Sequence, residues 1–177
     1  MVLVLTGPVH AGKTTFLEGA CARWAARGLP CTGFLSPAVI GAGGETGYDL
    51  LELPRGPRRP YLRRRADPAA ERTGPFAFVP EALDRARAIL RDPGRPGLLV
   101  VDEVGPLELM GGGLWPALRE AVRRPDRTAL LVVREEILEE LAAALAPLVP
   151  VVFRFRDPGD MALLEERILD GLDAHDH

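Results

Sequence analysis

The stretch VLVLTGPVHAGKTT, residues 2–15, joins a run of apolar and β-branched residues to a glycine-rich loop. The run VLVLT predicts a strand buried on both faces, as in a parallel sheet. Residues 7–14 match the pattern G-x-x-x-x-G-K-[ST], in which successive backbone N–H groups surround phosphates at the start of a helix. The sequence therefore predicts a strand, a phosphate-binding loop and a helix in direct succession.

The residues that this pattern fixes each have a physical role. Gly7 and Gly12 allow backbone geometry that a Cβ atom would obstruct. Lys13 is expected to reach the β- and γ-phosphates, and the Thr14 hydroxyl to coordinate Mg²⁺. Because the whole loop curls around the phosphates, we predict that it binds the nucleotide through Gly7, Pro8, Val9, His10, Ala11, Gly12, Lys13, Thr14 and Thr15.

Lys13 is the only lysine in a chain that carries 22 lysine and arginine residues in total. An arginine guanidinium is planar and bulkier than an ammonium group, so it does not replace lysine in such a loop. A sequence that otherwise uses arginine thus has lysine at the position where phosphate binding requires it. In the same loop Thr15 is a candidate α-phosphate ligand, whereas His10 fits a variable loop position better than a catalytic base.

A pair of carboxylates lies at the end of a second apolar run, LLVVDE at residues 98–103. Asp102, at the carboxyl end of a buried strand, is placed to hold Mg²⁺, commonly through water. Glu103 points to the other side of the pleat and could orient or deprotonate an attacking water. An acidic strand end without a chemical role is the alternative, but the phosphate loop upstream favours the functional interpretation.

The remaining segments alternate between strand and helix patterns. Apolar positions at three- and four-residue spacing after the loop predict a helix that ends at Gly28. Further strands are predicted at 31–36, 98–103, 128–133 and 149–155. Further helices are predicted at 81–90, 113–124, 135–146 and 160–172. This order predicts an α/β fold with a mostly parallel sheet covered by helices on both faces.

An insertion follows the second strand. Residues 38–53, AVIGAGGETGYDLLEL, predict a β-hairpin with a glycine turn, which PYLRRR at 60–65 extends. Prolines, glycines and arginines dominate residues 54–75, so we expect an irregular or mobile region there. The hairpin and this region together occupy about residues 38–75 of the chain.

Length and composition limit the class of protein. A chain of 177 residues, 47% hydrophobic and 27% charged, predicts one globular domain over residues 1–177. A net charge of -3 gives no general attraction to nucleic acid or anionic lipid. No apolar run approaches the length of a membrane span. We therefore expect a cytoplasmic monomer with reduced cysteines, which binds nucleoside triphosphates and neither membrane nor nucleic acid.

The sequence leaves the acceptor of the phosphoryl group open. Glu103 beside Asp102 favours hydrolysis, because a carboxylate there can position water. A nucleotide or small-molecule kinase is the alternative, since arginines can close over phosphates as a lid. The arginines concerned are Arg55, Arg58, Arg59, Arg63, Arg64 and Arg65, although a solvated hairpin edge explains them more simply. A nucleotide-dependent switch module is a third alternative.

Three segments together resemble the family of small nucleoside-triphosphatases known as cancer-related nucleoside-triphosphatases. They are TGPVHAGKTT, GFLSPAVIGAGGETGYDLLEL and LLVVDEVGPLEL. The resemblance implies a RecA-like sheet and slow, Mg²⁺-dependent hydrolysis of ATP, GTP and other triphosphates to diphosphate and phosphate. By position it assigns the phosphate and metal roles to Lys13, Thr14 and Asp102, and the catalytic carboxylate to Glu103.

The resemblance also extends to Glu108 and Arg134. Glu108 lies in the family signature GPLEL, where it would support either the site or the structure. Arg134 follows the strand at 128–133, where members of the family often have a basic residue near the γ-phosphate. It is therefore a candidate arginine finger in cis, although the adjacent Glu135 and Glu136 could pair with it instead. The segment RFRDPGD replaces an Asn-Arg pair common in the family, which leaves base recognition open.

Overall fold

The computed structural model describes residues 1–64, 70–92 and 97–173. Within these ranges the strands are β1 Val2–Thr6, β2 Cys31–Leu35, β3 Ala38–Gly41, β4 Gly44–Glu52, β5 Arg58–Arg63, β6 Arg72–Thr73, β7 Phe76–Phe78, β8 Gly97–Val104, β9 Arg127–Val133 and β10 Val151–Arg154. The helices are α1 Lys13–Ala26, α2 Pro80–Arg91, α3 Pro106–Leu109, α4 Trp115–Ala121, α5 Leu138–Ala144 and α6 Pro158–Asp173. All of the strands belong to one sheet.

Five parallel strands form the centre of the sheet, in the order β10-β1-β9-β8-β2. The strand β9 thus lies between β1, which precedes the phosphate loop, and β8, which carries the carboxylate pair. Parallel strands place their carboxyl ends at one edge of a sheet, which is where ligands bind in open α/β folds. The topology therefore brings the two predicted halves of the site to the same edge.

Helices cover both faces of this parallel centre. Successive residues of β1 point to opposite faces: Val4 belongs to the apolar cluster formed with α2, α4 and α5, and Leu5 to the cluster formed with α1 and α6. Every residue of β1 and β9 is buried, as expected of strands that have helices on each side. The prediction of an α/β fold with both faces covered is confirmed.

The predicted hairpin is present as β3 and β4, which pair antiparallel. The sheet then continues beyond β2 through β4, β5, β7 and β6, all antiparallel. The expectation of an irregular region at 54–75 is wrong for β5, which is held by buried Tyr61 and Leu62 and by ion pairs from Arg58 and Arg63 to Asp49. Residues 65–69 of that region lie outside the described ranges.

The short elements β6, β7 and α3 were not predicted. Two- and three-residue strands are too short to show alternation, and a four-residue helix is too short to show a period. The predicted helix at 135–146 begins with a 3-10 turn at Glu135–Ile137 and continues as α5. None of the helices in the described part of the chain is long and apolar enough to cross a membrane.

The close contact between β2 and β8 allows the pairing of these two strands to be tested. Gly33 has φ +102°, and a Cβ atom there would lie 1.9 Å from the Val100 carbonyl oxygen. We expect Gly33→Ala to lower the free energy of unfolding by more than about 3 kcal/mol in urea denaturation. Gly43→Ala is the matched control, because a Cβ there meets nothing within 4 Å, and its change should stay within about 0.5 kcal/mol. Equal stabilities would contradict the register.

Candidate active site

The loop between β1 and α1 takes the bent course that phosphate binding requires. Gly7, His10 and Gly12 have φ values of 147°, 59° and 99°. Gly12 is the N-cap of α1, so the following backbone N–H groups open toward the loop. A Cβ atom at Gly7 would lie 3.2 Å from that of Phe155, which explains why the chain has glycine there. The helix N-terminus and these N–H groups form an anion site.

Lys13 lies in the centre of the loop with only 8% of its surface exposed. Its Nζ donates hydrogen bonds of 2.8 Å to the carbonyl oxygens of Gly7 and of Pro8. Burial lowers the pKa of Lys13, while the nearby carboxylates of Glu103 and Asp102 act in the opposite direction. A phosphate that binds to this lysine must therefore compete with the carbonyls of the loop itself.

Asp102 connects three segments of the chain. Its Oδ2 accepts a 2.7 Å hydrogen bond from the Thr14 hydroxyl and a 3.2 Å hydrogen bond from the Ser36 backbone N–H. The Ser36 hydroxyl donates to the Asp102 carbonyl oxygen. Burial raises the pKa of Asp102 to about 6, against the effect of these hydrogen bonds. The structure thus joins the predicted metal ligands Thr14 and Asp102 directly.

Ser36 was not predicted as a site residue. It is the only serine of the chain and follows β2, the strand next to β8. A solitary serine before a proline has no pattern of its own, since a turn explains it equally well. The signal would have been the pairing of β2 with β8, which a single sequence does not reveal.

Glu103 and Arg134 form an ion pair across the ends of β8 and β9. Arg134 Nε donates to Glu103 Oε1 at 2.6 Å. The ladder between the two strands shifts its register between Asp102 and Val104, a bulge that aims Glu103 away from the regular pleat. The sequence suggested Glu135 and Glu136 as partners of Arg134, whereas the structure pairs it with Glu103, which was not predicted as its partner.

A cavity of about 370 Å³ runs along the loop. It is lined by residues 9–15 of the loop together with Ser36, Tyr48, Arg58, Asp102, Glu103 and Arg134, among others. Gly7 and Pro8 contribute differently, through the carbonyls that hold Lys13. His10 is largely exposed, with Nδ1 3.9 Å from Glu45, which agrees with a loop position rather than a base. We call this space the phosphate cavity.

The arginines considered as a lid do not act as one group. Arg58 lines the phosphate cavity, but both it and Arg63 pair with Asp49 of β4. Arg64 lies over the ring of Phe76, 5.0 Å from its centre. Arg65 lies outside the described residues. The interpretation as a charged hairpin edge therefore accounts for Arg58 and Arg63, since cross-strand ion pairs explain their positions.

Glu108 has a structural role in this arrangement. Its carboxylate is buried and accepts hydrogen bonds from the backbone N–H groups of Gly105, at 3.0 Å, and Leu114, at 3.2 Å. Burial raises the pKa of Glu108, although both hydrogen bonds favour the charged form. The side chain caps α3 and fixes the segment that follows β8, so it supports the site through the backbone.

Thr14 and Asp102 offer the hard oxygen ligands that Mg²⁺ prefers. Among the described residues, no group of three or more His, Cys, Asp or Glu side chains could hold a metal ion. The donor set fits Mg²⁺ bound jointly with a nucleotide, because this ion commonly takes one or two protein ligands together with phosphate oxygens.

The fold and these two segments define the class of the protein. A phosphate loop after β1 and an Asp-Glu pair at the end of β8, with one strand between them, are the parts of a phosphate-loop nucleotide-binding protein. A family model described as NTPase matches residues 2–155. The chain therefore belongs to this family of nucleoside-triphosphate hydrolases.

Individual relatives agree with this assignment. The chain is 31% identical over 155 residues to nucleoside-triphosphatase THEP1 of Methanopyrus kandleri, covering 87% of this chain and 84% of the relative. It is 32% identical over 136 residues to the cancer-related nucleoside-triphosphatase homolog of Bos taurus, covering 71% of each. The solution structure of a human cancer-related nucleoside triphosphatase superposes with a TM-score of 0.68 at 26% identity, covering 94% of this chain and 95% of that one. The resemblance and the RecA-like sheet are confirmed.

Asp102 gives the metal-free protein a pH dependence. Because burial raises its pKa from the usual range to about 6, the folded protein keeps a proton that the unfolded chain releases between about pH 4 and 6. The free energy of unfolding should fall as pH rises through this window, by at most about 3 kcal/mol from this group. Denaturation in EDTA should show wild type losing stability relative to Asp102→Asn. A difference that is independent of pH would contradict the raised pKa.

Proposed function

We propose that this chain hydrolyses ATP, GTP and other nucleoside triphosphates to the diphosphate and phosphate with Mg²⁺ as cofactor. The observation that carries the proposal is the position of Glu103, whose carboxylate lines the phosphate cavity one residue beyond Asp102. Membership of the NTPase family supports hydrolysis, and the names of the relatives specify no base. The direct test is phosphate release from each triphosphate with Mg²⁺ and with EDTA.

The residues of the cavity divide the reaction among them. The N–H groups at the start of α1 and the ammonium of Lys13 bind the β- and γ-phosphates. Thr14 and Asp102 hold Mg²⁺, which when bound neutralises part of the phosphate charge. Glu103 orients a water toward the γ-phosphorus and accepts its proton. Arg134, which lines the same cavity, supplies positive charge beside the γ-phosphoryl group while its bond to the diphosphate breaks.

The contacts of the free protein support the proposal of slow turnover. Lys13 is bonded to two loop carbonyls and Glu103 is paired with Arg134. Each must exchange its partner before the catalytic arrangement exists, and such rearrangements limit the rate of many enzymes. This is our reason for proposing a low kcat rather than a fast metabolic enzyme.

Three observations support the oligomeric state, partners and compartment that we propose. The proposed catalytic residues Lys13, Glu103 and Arg134 line a single cavity of one chain, and we therefore propose action as a monomer. A net charge of -3 supports free nucleotides rather than nucleic acid as partners. Cys21 and Cys31 are both free thiols, which fits the reducing environment of the cytoplasm.

Removing the charge of Glu103 tests its role. We expect Glu103→Gln to lower kcat at least about 100-fold, because a general base typically contributes that much or more. Nucleotide binding should persist, since Lys13 and the loop are unchanged. The matched control is Glu120→Gln, an exposed position on α4, which should keep the wild-type rate. A Glu103→Gln variant as fast as wild type would show that water is positioned by another group.

A double-variant cycle separates two roles of Arg134. Arg134→Ala should lower kcat at least about 1000-fold, the lower end of the range for an arginine finger. In the Glu103→Gln background we expect Arg134→Ala to lower kcat by about the same factor again, because a guanidinium near the γ-phosphate acts independently of the carboxylate. Arg119→Ala, exposed on α4, is the control. No further loss in the double variant would show that Arg134 serves only to position Glu103.

A further inference from the structure

A second cavity also has the Glu103–Arg134 ion pair in its wall. It measures about 360 Å³ and contains none of the loop residues 11–15. Its walls come mainly from β4, β5, β6 and β7 and from the segment after β8. They are Tyr48, Tyr61, Leu62, Thr73, Pro75, Phe76, Phe78, Pro106 and Glu108, among others. We call this space the aromatic cavity.

Aromatic rings form much of the wall. The rings of Tyr48 and Phe76 meet edge to face with centroids 5.5 Å apart, and those of Tyr61 and Phe78 do so at 5.1 Å. Cavities of this size lined by aromatic side chains with a few polar groups are typical small-molecule sites. The aromatic residues of the wall favour a ligand with a flat, apolar body.

The polar part of the wall carries both signs of charge, since Arg64 and Arg134 line it together with three carboxylates. Glu45, Glu103 and Glu108 line the cavity. The hydroxyl of Tyr61 is buried and makes no hydrogen bond within the described residues. Buried polar atoms without partners are uncommon and costly in native proteins. Such a wall favours a ligand whose apolar body carries a hydroxyl, which can donate a hydrogen bond to a carboxylate.

The two cavities meet at the catalytic side chains. Glu103 and Arg134 line the phosphate cavity and the aromatic cavity alike, as do His10 and Tyr48. A hydroxyl held at this boundary is therefore beside the same carboxylate that we assign to water. Nothing in the position of Glu103 restricts it to water, because a general base accepts a proton from either oxygen.

We propose that the aromatic cavity binds a hydroxyl-bearing aromatic small molecule, which takes the γ-phosphoryl group from the nucleotide bound in the phosphate cavity. The acceptor oxygen forms a bond to the γ-phosphorus as the bond to the β–γ bridging oxygen breaks. The acceptor proton passes to Glu103, and the products are a phosphate monoester and the nucleoside diphosphate. This inference rests on the proposed function for the position of the nucleotide, and hydrolysis is the same reaction with water as acceptor.

A variant that fills the aromatic cavity tests the binding step. Thr73 lines the aromatic cavity and not the phosphate cavity. Arg72, its neighbour in β6, is exposed and points to the opposite face. Phenols, aromatic alcohols and nucleosides are screened by ligand-observed NMR with ADP and Mg²⁺ present. We expect at least one to bind to wild type and Arg72→Phe, and to bind at least about tenfold more weakly to Thr73→Phe.

The transfer step is measured with the compounds that bind. Radiolabelled ATP and Mg²⁺ should yield a labelled phosphate ester of the compound with wild type and Arg72→Phe, and at least about tenfold less of it with Thr73→Phe. If Thr73→Phe does not fold by circular dichroism, Phe76→Leu, which removes one ring of the wall, takes its place.

Three outcomes would overturn the inference: no compound binds, the cavity variant binds as well as wild type, or a bound compound gains no label. Phosphate release from ATP without any compound is measured in parallel. If that release requires Mg²⁺ and Glu103 while the screen fails, only the acceptor site is wrong. If there is no release, the proposed function fails, and the binding screen still decides whether the cavity takes a ligand.

Discussion

The site depends on one buried carboxylate oxygen. Oδ2 of Asp102 accepts hydrogen bonds from the Thr14 side chain and the Ser36 backbone, and so joins the phosphate loop, the end of β2 and the end of β8. Burying a carboxylate is unfavourable unless hydrogen bonds compensate for lost water. The raised pKa of Asp102 shows that compensation here is partial. A metal ion bound with a nucleotide would supply the remaining stabilisation of the carboxylate charge. The buried Asp102 is therefore unfavourable in the free protein and favourable once the ligand is bound.

The parallel order of the sheet explains why the other residues of the site lie close to Asp102. Each of four strands contributes one element of the site at its carboxyl end. The loop follows β1, Ser36 follows β2, the carboxylate pair ends β8, and Arg134 follows β9. Because β9 lies between β1 and β8, its arginine is placed beside Glu103. The antiparallel strands beyond β2 then form most of the wall of a second space against the same ion pair.

The chemistry of the site was more predictable from the sequence than its geometry. Lysine, threonine and a strand-end aspartate are the residue types that phosphate and metal binding need, so their spacing and flanking strands were enough to predict them as site residues. Ser36 was missed because its role depends on the neighbour of β2, and strand order is not written in local sequence. The partner of Arg134 remained open for the same reason, since Glu135 and Glu136 compete in sequence whereas Glu103 is close only in space. Residues 60–65 were predicted to extend the hairpin, but the prolines and arginines around them also predicted an irregular region. The structure forms β5 there, and Asp49 on the neighbouring strand makes ion pairs with two of the arginines.

Because Lys13 is the only lysine, the opening of the phosphate loop in the free protein can be measured by experiment. Chemical acylation of side-chain amines has one target in this chain, and that amine is buried with two carbonyl acceptors already engaged. Acylation requires a free, unprotonated and accessible nitrogen, so its rate measures how often the loop releases Lys13. The scarcity of lysine thus makes the residue that we assign to phosphate binding an intrinsic reporter of loop opening.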